Sequence, residues 1–422
     1  MTTRRPSRAL AALLVASTFA AAGCSYIFSE KRTSYQYEPT YGVASPEFRR
    51  SLEALGSSMT GSNAAALCEN GDGCFGAMLR AIAGAQRSVN LENYIFGHDE
   101  TAALFARALA ERARAGVEVR LLVDSFGSSL GPGKDLMTAA GAKVFEYKPL
   151  RIYSIYRVGN RTHRRILTVD GTIGFTGGIG LDNRWKGDAR NPQEWRDTMV
   201  RVEGPVVAQL QRIFLEDWMH TTGEVLHGDA QFPPIPAAGS RLAQAVASSR
   251  TDQSSRAKLT FYMAIQAARE KIWIENAYFV PDRQIREGLV HAAGRGVDVK
   301  VIVPGKHIDS PYVQGASRFH YGELLDGGVQ IYEFQPTMLH NKVMVVDSIW
   351  TTIGSINFVN RSMSKNAEVG VIVYDQDFAA EVERMVQRDL GRCEVLSKQA
   401  WKKRGLLPRI GEVFFWLFSD NY

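Results

Sequence analysis

Residues 81–96, AIAGAQRSVNLENYIF, align without a gap on residues 264–279, AIQAAREKIWIENAYF, and Glu92-Asn93 falls on Glu275-Asn276. A match of this length within one chain marks an internal duplication. The correspondence continues outward: GVEVRLLV at 116–123 lies against GVDVKVIV at 296–303, and GAKVFEYKP at 141–149 against GVQIYEFQP at 328–336. The last two pairs are offset by 180 and 187 residues, so loops differ while elements persist. Each copy reads as helix, apolar strand, amphipathic helix, apolar strand and a further strand, the rhythm of an α/β unit with a covered sheet. The amphipathic helix of the first copy is expected over residues 100–115, with Leu104, Ala108 and Leu109 on its apolar stripe, and that of the second over 284–294. The Pro/Ala/Gly-rich residues 232–240 read as a linker between a first half at 61–231 and a second at 241–400.

Matching chemistry lies further along each copy. His163-Arg164-Arg165-Ile166-Leu167-Thr168-Val169-Asp170 and His340-Asn341-Lys342-Val343-Met344-Val345-Val346-Asp347 are both His-x-basic-x4-Asp, 177 residues apart. In an extended strand alternate residues share a face, so His163 is presented with Arg165 and His340 with Lys342. Asp170 and Asp347 stand too far along their strands to touch those histidines, and are expected at a shared interface or orienting the partner half. Glycine-rich turns follow seven residues past each Asp: Gly177-Gly178-Ile179-Gly180 and Gly354-Ser355-Ile356-Asn357. Small residues there let backbone N–H groups approach an anion. The remaining histidines, His98, His220, His227, His291, His307 and His320, have no duplicated counterpart of this kind and read as structural or exposed.

The spacing His-x-Lys-x4-Asp-x6-Gly-[Gly/Ser]-x-x-Asn resembles the signature of the phospholipase D superfamily. The second copy fits in full, and the first departs at Arg165 and Gly180. The segments VRLLVDSFGS at 119–128, AYFVP at 277–281, Trp195-Arg196-Asp197 and Asn366-Ala367-Glu368 resemble the cardiolipin synthase branch over about residues 60–400. The resemblance implies two α/β/α sandwich half-domains that share one active site at a pseudo-two-fold interface. It implies that one histidine attacks phosphorus to give a phosphohistidine while the other protonates the departing alcohol and later activates the acceptor. Family order makes His163 the nucleophile and His340 the acid, although the residues themselves are symmetric. Arg165 and Lys342 would stabilise the five-coordinate phosphorus, with Asn357 and the turn residues Gly177, Gly178, Gly354 and Ser355 as further contributors. Arg for Lys keeps the charge but exchanges a point donor for a planar fork. Asp197 and Glu368 would each orient one histidine. No cofactor is implied, and no Cys/His spacing resembles a zinc site.

The implied reaction is transfer of a phosphatidyl group from one phosphatidylglycerol to another, releasing glycerol. Water as acceptor instead gives a phospholipase D hydrolase, and the motifs serve both. A phospholipase D-type endonuclease and an inactive lipid-binding lipoprotein are the readings from other classes. The endonuclease would want a basic groove and commonly pairs two single copies, whereas fused halves suit a monomer that does not bind nucleic acid.

Arg4, Arg5 and Arg8 precede an apolar run at residues 9–22, too short and Ala-rich for a membrane span and better suited to export. Ala21-Ala22-Gly23-Cys24 resembles a bacterial lipobox with Ala where Leu is usual three positions before Cys24. That resemblance implies removal of residues 1–23, lipidation of Cys24 and a membrane-anchored lipoprotein on the periplasmic face. Ser25 would sort it to the outer membrane, whereas cardiolipin synthesis is expected at the inner one. After residue 23 the chain keeps 47 basic and 44 acidic residues, so half of its net positive charge belongs to the leader. Residues 24–60 are expected as a linker. Cys68 and Cys74 flank the turn-rich residues 69–73, which leaves either a disulfide or two half-buried thiols. Residues 401–422 join the basic Lys402-Lys403-Arg404 to the aromatic run VFFWLF at 413–418. That pairing suits either an anionic bilayer surface or a helix docked on the core.

Overall fold

The structure, a computed structural model, describes residues 34–56, 58–149, 161–248 and 256–417. The export signal and Cys24 lie outside the described residues. The first half contributes β1 (Thr60–Glu69), β2 (Ser88–Asn93), β3 (Glu118–Asp124), β4 (Lys143–Tyr147), β5 (Ile166–Val169), β6 (Ile173–Gly177) and β7 (Thr198–Glu203). The second contributes β8 (Arg241–Ser248), β9 (Lys271–Asn276), β10 (Phe279–Val280), β11 (Asp298–Pro304), β12 (Gln330–Phe334), β13 (Lys342–Val346), β14 (Trp350–Gly354), β15 (Phe358–Val359), β16 (Glu368–Tyr374) and β17 (Cys393–Val395).

Fifteen of these strands form one sheet, in the order β17-β12-β11-β9-β13-β14-β16-β8-β1-β7-β6-β5-β2-β3-β4. From the β1/β8 seam outward the two halves place seven corresponding strands in the same sequence, as a pseudo-two-fold axis at the seam requires, and the second half adds β17 at its edge. β2, β3 and β4 run parallel, as do β9, β11 and β12, and helices cross over between them. The seam strands β1 and β8 escaped the sequence reading, because SNAAALCE and RLAQAVAS carry small residues and little of the branched apolar character that marks a strand.

Helices cover both faces. Val206–Thr222 and Gln376–Leu390 pack on one face over an apolar core that runs unbroken across the seam, joining Val200, Leu210 and Trp218 to Val369, Val371 and Val382. The opposite face has a separate core in each half. Strand residues alternate between these layers: Ile166 and Val343 face the shared core, Leu167 and Met344 the separate ones.

Several local expectations change. The helix at Glu100–Arg114 buries Ala102, Phe105, Ala106 and Leu109, whereas Leu104 points to solvent, because the apolar stripe is centred one residue later than expected. Residues 69–73 are not a loop: β1 ends at Glu69 and a helix starts at Asn70, with Cys68 and Cys74 buried as free thiols. The expected linker at 24–60 contains a helix, Pro46–Glu53, capped by Ser45, whose Phe48 and Leu52 are buried in the second half's core. The C-terminal helix Leu406–Leu417 docks on helix Pro311–Asp326. No helix among the described residues is long and apolar enough to cross a membrane.

Candidate active site

The backbone brings the two motifs together before any side chain acts. The His163 amide donates to the Ala367 carbonyl at 2.8 Å, and the Ala367 amide donates back to Arg161 at 3.0 Å. The second half repeats this: the His340 amide donates to Arg196 at 2.7 Å, and the Arg196 amide to Met338 at 2.9 Å. Each histidine is thereby stitched beside the residue that precedes a carboxylate of the opposite half.

The carboxylates then cross over. His163 Nδ1 lies 2.9 Å from Glu368 Oε2, and His340 Nδ1 lies 2.6 Å from Asp197 Oδ2. Nδ1 of each ring carries the proton for these bonds, which leaves Nε2 with its lone pair. The basic residue two positions on lies against each ring: both terminal nitrogens of Arg165 stand 3.2 Å from His163 Nε2, and Lys342 Nζ stands over the His340 ring edge, 2.9 Å from Nδ1 and 3.1 Å from Nε2. All six side chains are buried.

Burial sets the electrostatics. It pulls the His163 imidazole below its ordinary value, with Glu368 opposing and Arg165 and Lys342 adding to the fall. His340 is pushed down to about 3 by burial and by Lys342, against the pull of Asp197, and Arg165 lowers it further. Lys342 is brought down to about 7, mainly by burial. Burial alone would raise Asp197, but His340 and Lys342 outweigh it and hold the carboxyl below its usual range. Each histidine thus feels the cation of the other half, which makes the two motifs one site. Two imidazoles held neutral beside two cations form a pocket poised for an anion.

Asp170 and Asp347 are elsewhere, contrary to their expected place at the shared interface. Asp170 accepts the backbone amides of Gln86, Arg87 and Ser88 at 2.7–2.9 Å, and Asp347 those of Arg269, Glu270 and Lys271 at 2.8–3.0 Å. Both adopt left-handed backbone, with φ of 50° and 49°. They fasten the turn that enters β2 or β9 to the end of β5 or β13, which is structural work.

The glycine turns also differ from expectation. The amides of Gly178 and Ser355 donate to the carbonyls of Thr198 and Val369, so they are not free to cradle an anion. A Cβ on Gly177 would stand 2.3 Å from the Thr198 carbonyl oxygen, and one on Gly354 2.4 Å from that of Val369, so close strand approach demands glycine. Asn357 is buried, and its side-chain oxygen has no hydrogen-bond partner among the described residues.

Trp185 explains why the first half departs from the second. The Ser355 hydroxyl donates to Glu368 Oε2 at 2.5 Å, whereas its counterpart Gly178 has no hydroxyl and faces Asp197 so closely that a Cβ would sit 2.2 Å away. The missing donor is the indole Nε1 of Trp185, 2.8 Å from Asp197 Oδ2. A Cβ on Gly180, the counterpart of Asn357, would meet the Trp185 ring at 2.7 Å. One tryptophan thus fills the place of two polar side chains. Trp185, Trp195 and Tyr278 surround the His340 ring at 5.4, 5.4 and 6.1 Å, while Tyr94 packs edge-on against His163 at 4.9 Å. Spacing offers no signal for Trp185; only the glycine in place of Asn357's equivalent hints that something larger stands there.

Beneath the site, the duplicated Glu92 and Glu275 acquire partners. Thr162 Oγ1 donates to Glu92 at 2.5 Å, and Asn341 Nδ2 donates to Glu275. Arg164 pairs with Asp217 at 2.9 Å and Arg196 with Asp389 at 2.7 Å. Arg164 Nε also reaches the carbonyl of Glu368, and Arg196 that of Asp197, so a buried guanidinium holds the backbone of each orienting carboxylate.

Two carboxylate-held imidazoles flanking two cations, built by fused α/β halves, define a phosphodiester-transferring enzyme of the phospholipase D class. Residues 78–218 and 262–390 match the family model described as cardiolipin synthase, PLD-like domain. The chain belongs to that family. It is 35% identical over 358 residues to a probable cardiolipin synthase of Bacillus subtilis (strain 168), covering 83% of this chain and 71% of the relative. It is 34% identical over 359 residues to cardiolipin synthase A of Pseudomonas fluorescens, covering 83% and 73%. Among solved structures, the phosphatidylserine synthase of Haemophilus influenzae Rd KW20 superposes with a TM-score of 0.68 at 13% identity, over 88% of this chain and 97% of that one, a likeness of fold.

Proposed function

We propose that this chain is a phosphatidyltransferase that makes cardiolipin from two phosphatidylglycerols at an envelope membrane, by a double displacement through a phosphohistidine. The observation that carries the reading is the crossed pairing of His163 with Glu368 and His340 with Asp197, since in-line displacement at phosphorus needs a nucleophile and a proton donor fixed on opposite sides of one phosphate.

In the first step His163 Nε2 forms a bond to phosphorus and the bond to the glycerol oxygen breaks, with His340 giving that oxygen its proton. In the second, His340 takes the proton from a hydroxyl of the acceptor phosphatidylglycerol as its oxygen bonds to phosphorus and the phosphorus–nitrogen bond breaks. Arg165 and Lys342 face the phosphoryl oxygens where charge accumulates. A phosphodiester anion between them favours the protonated form of His340, so the low value of the empty site rises as substrate arrives. The assignment of His163 as nucleophile follows the order of the family. Asn357, whose side-chain oxygen has no hydrogen-bond partner among the described residues, is the further polar group offered by the second half.

The chain acts, on this reading, as an exported monomer anchored through lipidated Cys24 at the periplasmic face, with phospholipid and membrane surface as its partners and without nucleic acid. Purified protein given phosphatidylglycerol vesicles is expected to yield cardiolipin and glycerol by mass spectrometry. Phosphatidic acid as the main product would make it a hydrolase. No product from any phospholipid would sink both.

A further inference from the structure

We propose that the outward face of helix Leu406–Leu417 docks the enzyme on an anionic phospholipid surface beside its active site. The proposal rests on the reading that the substrate is a membrane phospholipid.

The helix has two apolar faces where a surface helix ordinarily has one. On the inner side, the Phe415 ring lies where a Cβ on Gly315 would stand, 2.2 Å away, and Trp416 stacks on Phe319 at 4.6 Å. Glu412 pairs with Arg404 and, at 3.7 Å, with Arg318. These contacts fix the helix in place and settle its rotation. On the outer side Leu406, Ile410, Val413, Phe414 and Leu417 follow at i, i+4, i+7, i+8 and i+11, which places them along one stripe. All five are exposed, Leu406 at 75% and Ile410 at 64%. A contiguous apolar stripe of this size on a docked, rigid helix marks a contact surface.

Charge identifies the occupant. Residues 398–417 hold five basic side chains and one acidic, and that acid, Glu412, is buried and paired on the inner side. Lys402, Lys403 and Arg409 are exposed, Lys402 in an ion pair with Asp326 at 3.0 Å, and Arg409 lies on the helix next to the stripe residue Ile410. Cations flanking an apolar stripe match headgroup phosphates above an acyl boundary. Position supports the same partner. Phe415 packs on the cluster of Val280, Val313, Ala316 and Val359, which also carries Tyr278. Tyr278 in turn stands 6.1 Å from the His340 ring and donates to Asp309, just before the docking helix Pro311–Asp326. Phe415, this cluster and Tyr278 therefore form a continuous line of packed side chains from the helix to the reaction centre.

The test uses the full chain carrying Cys24→Ser, so that no acyl anchor contributes, and compares it with the same chain carrying Ile410→Ser, Val413→Ser and Leu417→Ser. Expected are roughly tenfold weaker co-sedimentation with vesicles containing phosphatidylglycerol and a parallel loss of turnover on those vesicles. Unfolding temperature and turnover on dispersed short-chain phosphatidylglycerol should be unchanged. Equal vesicle binding by the two proteins overturns the proposal. So does light scattering that shows a dimer abolished by the substitutions, which would make a second copy the occupant, or vesicle binding that is lost only when residues 1–23 are removed. If neither protein turns over phosphatidylglycerol in any form, the catalytic reading fails while the binding comparison still decides this one.

Discussion

Glu368 of the second half holds Nδ1 of His163 in the first at 2.9 Å, with no sequence neighbour common to both. Glu368→Gln keeps size and removes charge, so His163 loses both its fixed tautomer and the partner for its positive form. We expect kcat to fall by about 10³- to 10⁴-fold, the scale seen when a buried carboxylate behind a catalytic histidine is neutralised, with KM little altered. Asp197→Asn should behave alike through His340. Wild-type kcat in either variant would show that the crossed pairs do not act in the chemistry.

Quenching in alkaline denaturant, which preserves a phosphorus–nitrogen bond, separates the two histidines. With labelled phosphatidylglycerol, His340→Ala should accumulate an acid-labile label on His163, and His163→Ala should show none. Label on His340 in the His163→Ala protein would reverse the roles.

Lys342 sets the alkaline side of the pH profile. Burial brings its ammonium down to about 7, and the charged form is the one that stabilises the phosphoryl oxygens. For free enzyme, kcat/KM should therefore decline as pH climbs through about 7, while kcat of the substrate-loaded enzyme holds to higher pH, because a bound anion favours the ammonium. In Lys342→Arg the alkaline decline should vanish, since a guanidinium stays charged. The acid decline should remain, because His163, lowered by burial, loses nucleophilicity only when pH falls through its own value. A decline near pH 7 that survives Lys342→Arg assigns it to another group.

Trp185→Phe retains most of the ring and removes the N–H that meets Asp197 at 2.8 Å. With one donor fewer, Asp197 becomes more basic and favours the protonated form of His340, whose titration should move upward. A loss of about tenfold or more in kcat is expected, from a hydrogen bond to a charged group worth about 1.5–3 kcal/mol. Gly178→Ser cannot restore the donor, because its Cβ would collide with Asp197. An unchanged pH profile in Trp185→Phe would reduce Trp185 to filling space.

Asp347→Ala should cost stability without changing the chemistry. It strips three backbone amides of their acceptor and puts Ala at a φ of 49°, together about 2–3 kcal/mol or more. Denaturant midpoints should fall, with kcat per folded molecule unchanged. A selective loss of kcat would return Asp347 to the active site.

Sequence alone determined the duplication, the α/β class and the identity of His163, Arg165, His340 and Lys342, because repeated residue types at repeated spacing are a linear property. It also singled out Asp197 and Glu368. Tertiary structure decided how these meet. Each carboxylate serves the histidine of the other half, since seam strands of weak sequence character place residues 163 and 368 side by side. Asp170 and Asp347 share the motif yet point at turn amides, because alternation along a strand tells which face a residue takes and not what the neighbouring loop offers there. The departure at Gly180 looked like a loss in the chain, while Gly178 fitted the motif as an alternative to Ser. In three dimensions Trp185 occupies their space and supplies the missing donor, since a fold conserves volume and hydrogen bonds at a place, and sequence records only which residue sits at a number.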